Sequence, residues 1–251
     1  MNQINIKGFI IDKNTYLSFL NKIDQSKKWQ TVFTDFLNPE EQAALKELCS
    51  DEGVEVCFFD EGKLERTIAK LGLNDDIEYP IDVLKIEGNF KFEQLEHRDY
   101  LGAILSLGIK REKIGDINVY EDGAEVYVLK ELSDYILLNL TQIKHTSVKI
   151  KKISLQEARE KQVKFKEFNI NIASLRLDAI VAELIGVSRN KASELIRNEK
   201  VKLNFKLIKE VDKKVDPNSV LSIKGYGRFQ LGECLGTTRN GRFVFNAKKI
   251  I

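Results

Sequence analysis

The chain has 251 residues, 40 Lys+Arg against 38 Asp+Glu, a formal net charge of +2, 43% apolar and 31% charged residues. That length and composition suit about two packed domains and exclude disordered and fibrous classes. No apolar run approaches the ~20 residues of a membrane helix, and residues 1–11 lack a basic segment followed by an apolar stretch, so the cytoplasm is expected.

The near-neutral total hides an asymmetry. Residues 1–143 carry 16 Lys+Arg and 27 Asp+Glu, so −11, whereas residues 144–251 carry 24 and 11, so +13. A basic module that meets a polyanion, joined to an acidic part with another task, has this signature. Cys49, Cys57 and Cys234 lack C-x-x-C spacing and His97 and His145 are far apart, so neither a disulfide framework, a metal site nor any other cofactor is expected.

In chain order, Asn38 and Pro39 predict a helix start, with Ala43, Ala44, Leu45 and Leu48 at helical spacing. Val54 to Phe59 reads as a buried strand, and Lys63 to Leu71 as a second helix with Leu64, Ile68 and Leu71 on one face. Residues 1–76 are thus expected to be a small α+β unit. Next, Ile81 to Glu87 predicts a strand, Glu96 to Leu107 a helix, Gly115 to Tyr120 and Ala124 to Leu129 two strands joined at Glu121-Asp122-Gly123, Ser133 to Leu140 a helix capped by Ser133, and Ser147 to Ile153 a strand. The order β-α-β-β-α-β over 77–153 is the split-βαβ arrangement of ferredoxin-like and RNA-recognition folds. That order alone does not establish RNA binding, because the central strands offer only Tyr120 and Tyr127 as base-stacking aromatics. Residues 154–173 read as a basic helix-then-strand connector carrying Lys161, Lys164 and Lys166.

From Ser174 the pattern becomes mechanical. Leu177, Ile180, Val181 and Leu184 form one helical stripe, Gly186 stops that helix, and Ser188 caps a second with Ala192, Leu195 and Ile196 inward. Arg189 and Lys191 occupy the first turn of the second helix, where the helix dipole disfavours cations. A helix start with free N–H groups and two added cations suits a phosphate. Short strands at Val201 to Leu203, Lys206 to Val211 and Val220 to Lys224 follow, with Lys200, Lys202, Lys206 and Lys209 around them.

The runs R-L-D-A-I-V-A-E-L (176–184), S-R-N-K-A-S-E-L-I (188–196) and V-K-L-N (201–204) resemble the S4 RNA-binding domain, a module named after a small-subunit ribosomal protein. In that family the two-helix face and the following hairpin bind structured RNA. The resemblance implies RNA contact at Arg176, Ser188, Arg189, Lys191, Lys202 and Asn204; charge and placement add Arg197 and Lys200. Where the family has glycine, Asn-Gly and Gly-Asp turns, this chain has Glu199, Asn204-Phe205 and Asn218-Ser219, with Asn198 and Asn218 expected to take left-handed conformations. The last segment, 225–251, predicts a hairpin with a type I′ turn at Asn240-Gly241. Its cations Arg228, Arg239, Arg242, Lys248 and Lys249 either extend the basic surface or are solubilising charge.

The string H-R-D-Y-L-G-A-I-L-S-L-G-I-K-R-E-K-I-G-D-I (97–117), followed by the S4-like module and G-Y-G-R-F (225–229), resembles the YlmH family of bacterial RNA-binding proteins. The resemblance implies an N-terminal unit, an RNA-recognition-like middle domain and an S4 domain over 174–251. It further implies ribosomal RNA, tRNA and the large ribosomal subunit as partners, a role with stalled ribosomes and a link to cell division. His97-Arg98-Asp99 imitates a kinase triplet without the glycine-rich loop or D-F-G that a kinase needs. Arg176-Leu177-Asp178 is similar to the catalytic motif of pseudouridine synthases but lies within the S4-like helix. The expectation is therefore a monomeric, non-enzymatic α+β RNA-binding protein with no catalytic residues, whose acidic half faces protein or solvent. The alternative is an RNA-modifying enzyme of the pseudouridine-synthase kind.

Overall fold

The structure, a computed structural model, describes residues 3–28, 30–60, 63–72, 77–90, 93–160 and 165–250. The chain divides into two compact units, one of residues 1–13 with 162–251 and one of residues 14–161. By sequence the first carries 20 Lys+Arg and 10 Asp+Glu, so +10, and the second 20 and 28, so −8. The charge asymmetry therefore follows the fold. No described helix is long and apolar enough to cross a membrane.

The chain opens with a hairpin, β1 (Gln3–Ile6) and β2 (Phe9–Asp12). It corrects the expectation that residues 1–76 form one unit, because it belongs with the C-terminal residues.

In the acidic unit, α1 (Lys13–Ser26) buries Phe19 and Ile23, and β3 (Val32–Leu37) leads into α2 (Pro39–Asp51). Asn38 caps α2 by a reciprocal box: its side-chain oxygen accepts from the N–H groups of Glu40 and Glu41, and Glu41 accepts from the Asn38 N–H at 2.8 Å. Then come β4 (Val56–Phe58) and β5 (Thr67–Leu71), in the sheet order β3-β5-β4. The expected helix over 63–71 is thus a strand. All five residues of β5 are buried, so no apolar/polar alternation marked it.

The middle segment has the expected order: β6 (Ile81–Gly88), α3 (His97–Ser106), β7 (Ile114–Tyr120), β8 (Gly123–Leu129), α4 (Lys130–Asn139), a short β9 (Gln142–Ile143) and β10 (Thr146–Ile153). They form an antiparallel sheet, β7-β8-β6-β10-β9. Alternation sends Leu84, Ile86, Val126 and Val128 to the face covered by Tyr100, Ile104 and Ile136 of α3 and α4. It sends Ile81, Val83, Tyr127 and Leu129 to the opposite face, which packs against Phe36, Leu64 and Ile68. One apolar cluster therefore spans the expected boundary at 76/77, Asp76 itself lying outside the described residues. Ser133 does not cap α4; it is buried inside it and donates to Asp82 Oδ2 at 2.6 Å.

The basic unit resumes with β11 (Phe165–Ile172), α5 (Leu177–Ile185), α6 (Arg189–Arg197), β12 (Val201–Leu203), β13 (Lys206–Leu207), β14 (Val220–Ile223), β15 (Gly227–Thr237) and β16 (Phe243–Ile250). The six strands make one sheet, β11-β16-β15-β14-β12-β13. Residues 154–173 are accordingly not a separate connector: no helix follows Gln156 among the described residues, and β11 pairs with β16 along its full length. Lys161 and Lys164 lie outside the described residues. Leu177, Ile180, Val181, Ala192, Leu195 and Ile196 pack on Val201, Leu221, Ile223, Phe229, Leu231 and Phe245, each large side chain contributing about 1.5–3 kcal/mol by burial. The β15–β16 turn differs from the expected type I′: only Gly241, at φ 71°, has a positive φ.

Candidate nucleic-acid interface

Helix α5 ends at Gly186, whose left-handed φ 66°, ψ 42° turns the chain sharply into α6. The turn brings the starts of the two helices together around Asp178. That carboxylate is buried and takes hydrogen bonds from Arg176 (3.2 and 3.1 Å) and from Nη2 of Arg189 (3.1 Å to each oxygen). Burial opposes its ionisation, yet the two guanidinium groups prevail and hold its pKa below the usual carboxylate value. Each guanidinium has five N–H donors, so Arg176 and Arg189, with side chains 42% and 53% exposed, retain donors for a phosphate. Asp178 thus fixes the direction of two cations instead of acting as an isolated acid.

A depressed folded pKa means that this site's contribution to stability is present above the ordinary carboxylate value near pH 4 and is lost as pH falls through the folded value. Acid unfolding of the wild type, followed by circular dichroism below pH 4, is expected to be steeper than that of Asp178→Asn.

Ser188 caps α6, its Oγ accepting from the Lys191 N–H at 3.3 Å. Lys191 pairs with Glu194 at 2.9 Å, an exposed i,i+3 contact worth only a few tenths of a kcal/mol and easily exchanged for a phosphate. Arg197 is exposed in the last turn of α6, roughly 12 Å along the helix from Arg189 at 1.5 Å per residue. Lys200 is exposed before β12, and Lys202 is half-buried within it.

Asn204 is placed differently from the other site residues. Its Oδ1 accepts from the Val220 N–H at 2.8 Å and its Nδ2 approaches Ser219 Oγ at 3.4 Å, so its amide is engaged in holding the turn. Asn204 and Phe205 take φ 46° and 66°, the pattern of a type I′ turn. At the other departures from the family's turns, Asn218 is left-handed at φ 65°, but Glu199 (φ 58°), not Asn198 (φ −84°), takes the left-handed position after α6. A non-glycine residue there costs about 1–2 kcal/mol, and the exposed Glu199–Lys209 pair at 2.5 Å returns less. Glu199→Gly is expected to stabilise the protein by about 1 kcal/mol, read as a rise in the urea midpoint.

Sequence reasoning did not single out Lys213 and Lys214. The N–H groups of Leu177 and Asp178 donate to the Lys213 and Val211 carbonyls at 2.9 and 3.0 Å, and Arg176 bridges to Lys214, so both lysines lie at the start of α5. Their signal was charge alone, since about 35 residues of chain separate them from Arg176. Of the C-terminal cations, Arg242 bonds Glu183 and Lys248 bonds Glu167, both at 2.7 Å, while Lys249 lies 5.5 Å over the Phe229 ring.

Among the described residues of the acidic unit, the two sheet aromatics singled out in the sequence, Tyr120 and Tyr127, are both engaged. Tyr127 is buried, which pushes its hydroxyl up to about 12. The Arg159 guanidinium lies 3.5 Å over the Tyr120 ring, bonded to Glu125 at 2.7 Å and Asp122 at 2.8 Å. Both aromatic positions that could stack a base are therefore filled from within.

Comparison with protein families places one RNA-binding domain model in each unit, the acidic one included. The YlmH RNA-binding domain model matches residues 75–157, and the S4 domain model matches residues 175–221. The chain carries a YlmH RNA-binding domain and a C-terminal S4 domain. A curated relative, "Ribosome-associated protein quality control protein P2" of Bacillus subtilis (strain 168), is 29% identical over 234 residues, 88% of this chain and 91% of that protein. The solved structure of "Cell division protein ylmH from Streptococcus pneumoniae" shares the fold at a TM-score of 0.50 and 23% identity, covering 59% of this chain and 94% of that one.

Proposed function

We propose that the protein binds structured RNA, ribosomal RNA and tRNA on the large ribosomal subunit, through Arg176, Arg189, Lys191, Arg197, Lys200 and Lys202, and that it serves stalled ribosomes as a monomeric cytoplasmic binding protein without catalysis of its own. Ser188 and Asn204, both exposed, hold the backbone turns that carry this surface. The observation that carries the reading is the pair of half-exposed guanidinium groups aimed by a buried carboxylate at the start of a helix. The name of the curated relative supports the ribosomal setting. The acidic unit, closed on its sheet face, is suited to protein contacts, and a cell-division partner is one such contact.

The pseudouridine-synthase alternative would need Asp178 as a free catalytic group, whereas here it is buried and held by two arginines. Binding to transcribed large-subunit ribosomal RNA tests the proposal. Neutralising four to six phosphates predicts that log affinity falls with log salt at a slope of roughly −3 to −5. A slope near zero would overturn it.

A further inference from the structure

We propose that Tyr226, in the turn between β14 and β15, is a platform on which an unpaired base of the bound RNA stacks, an inference that rests on the RNA-binding reading above. The S4 model ends at residue 221, so that family match does not include this turn. Ile223 pairs with Gly227, and Lys224, Gly225 and Tyr226 make the loop between them. The Tyr226 N–H donates to the Ile223 carbonyl at 2.9 Å, and Gly225 and Gly227 take φ 89° and 107°. Glycine takes such angles without strain, so the chain reverses tightly on either side of Tyr226. The turn is also fastened to α6. The Lys224 N–H donates to the Lys200 carbonyl at 2.9 Å, and the Lys200 N–H donates to the Leu195 carbonyl of α6 at 3.0 Å.

A singly exposed aromatic is ordinary on a protein surface, but Tyr226 is set apart by its position and by having no internal task. It is 38% exposed, and among the described residues its side chain takes part in no hydrogen bond, ring contact or cation–π contact. Other exposed aromatics are engaged: Tyr135 donates its hydroxyl to the Leu107 carbonyl, and Phe165 lies under the Lys248 ammonium. The Lys191 pKa is raised chiefly by its bond to Glu194, and the Tyr226 hydroxyl adds to that rise, so the ring lies within electrostatic reach of the exposed face of α6. Stacking needs no unpaired cation there, because every base has a π face that an aromatic ring accepts. Loops and bulges of structured RNA are held in this way, with cations on the backbone and a ring under a splayed-out base. The neighbours of Tyr226 in the chain, Lys224, Gly225, Gly227 and Arg228, extend no apolar patch around it of the kind a protein partner covers.

The test uses the full chain and transcribed large-subunit ribosomal RNA at several salt concentrations. Tyr226→Ala is expected to lower affinity about tenfold at each of them and to leave the salt slope unchanged, because a ring releases no counterions. Tyr226→Phe and Tyr226→Trp keep the π face and are expected to bind within about twofold of wild type. Tyr226→Leu keeps apolar bulk without a flat ring, so it separates stacking from packing even where the urea midpoint shows that alanine weakens the fold. Binding by the leucine variant as weak as that of alanine supports the platform; wild-type binding by it overturns the platform. Wild-type affinity in Tyr226→Ala, while Arg189→Gln with Lys191→Gln binds weakly, overturns the Tyr226 assignment alone. Unchanged binding in all of these variants overturns the RNA-binding reading itself.

Discussion

Replacing Arg189 and Lys191 together with glutamine is expected to weaken binding to large-subunit ribosomal RNA on the order of 30-fold at about 0.1 M salt, and to lower the salt slope by roughly 1.4–1.8. Each cation lost removes one phosphate contact and its counterion release, about 1 kcal/mol at that salt concentration. Glutamine is the better choice than glutamate, because a carboxylate at position 189 would face buried Asp178 and confound binding with folding. With glutamine, Arg176 still neutralises Asp178 through two hydrogen bonds, so the severe cost of an unpaired buried charge is avoided. The Lys191–Glu194 pair is exposed and contributes little to stability. An unchanged urea midpoint with a steep loss of binding is the predicted combination. Full binding by the folded double variant would remove α6 from the interface.

The second large effect is on stability. Gly123→Ala is expected to destabilise the protein by about 3–5 kcal/mol, measured as a fall in the urea midpoint. Gly123 opens β8 at φ 145°, and a Cβ there would stand 1.9 Å from the Ile86 carbonyl oxygen of the neighbouring strand. The obstacle is backbone at the end of the β6–β8 ladder, where Gly123 pairs with Glu87, so no rotamer relieves it. Gly102→Ala is the contrasting control: Gly102 lies inside α3 with nothing within 4 Å of its Cβ position, and alanine there is expected to add about 0.5–1 kcal/mol. Opposite signs for the same chemical change would tie the first effect to the close strand approach.

What could be read from the sequence is what local chemistry specifies. Asn38, Pro39 and Glu41 announce α2 because a capping box is complete within four residues. The β-α-β-β-α-β segment was legible although β8 is buried on both faces, because Glu121-Asp122-Gly123 marks the turn between β7 and β8 and the helices have helical spacing. Strand β5 was misread because burial on both faces removes the period-two signal, leaving Leu64, Ile68 and Leu71 to imitate a helix. The arginines of the candidate site stood out as cations at a helix start, where stability alone would favour acids. Their common partner did not stand out, because Asp178 meets Arg189 only once Gly186 has turned the chain. Asn204 read as an exposed contact, yet its amide is used by Val220, sixteen residues away.

The 2.8 Å bond from the Leu207 N–H of β13 to the Gly8 carbonyl of the opening hairpin sets an order of events during synthesis. A two-stranded hairpin alone is at best marginally stable in water. Residues 3–12 are made well before their partner strand, which follows almost 200 residues later, about 10–40 s at bacterial elongation rates of 5–20 residues per second. The acidic unit, encoded between them, is complete before then. The hairpin therefore waits without its partner strand until the whole acidic unit has been made.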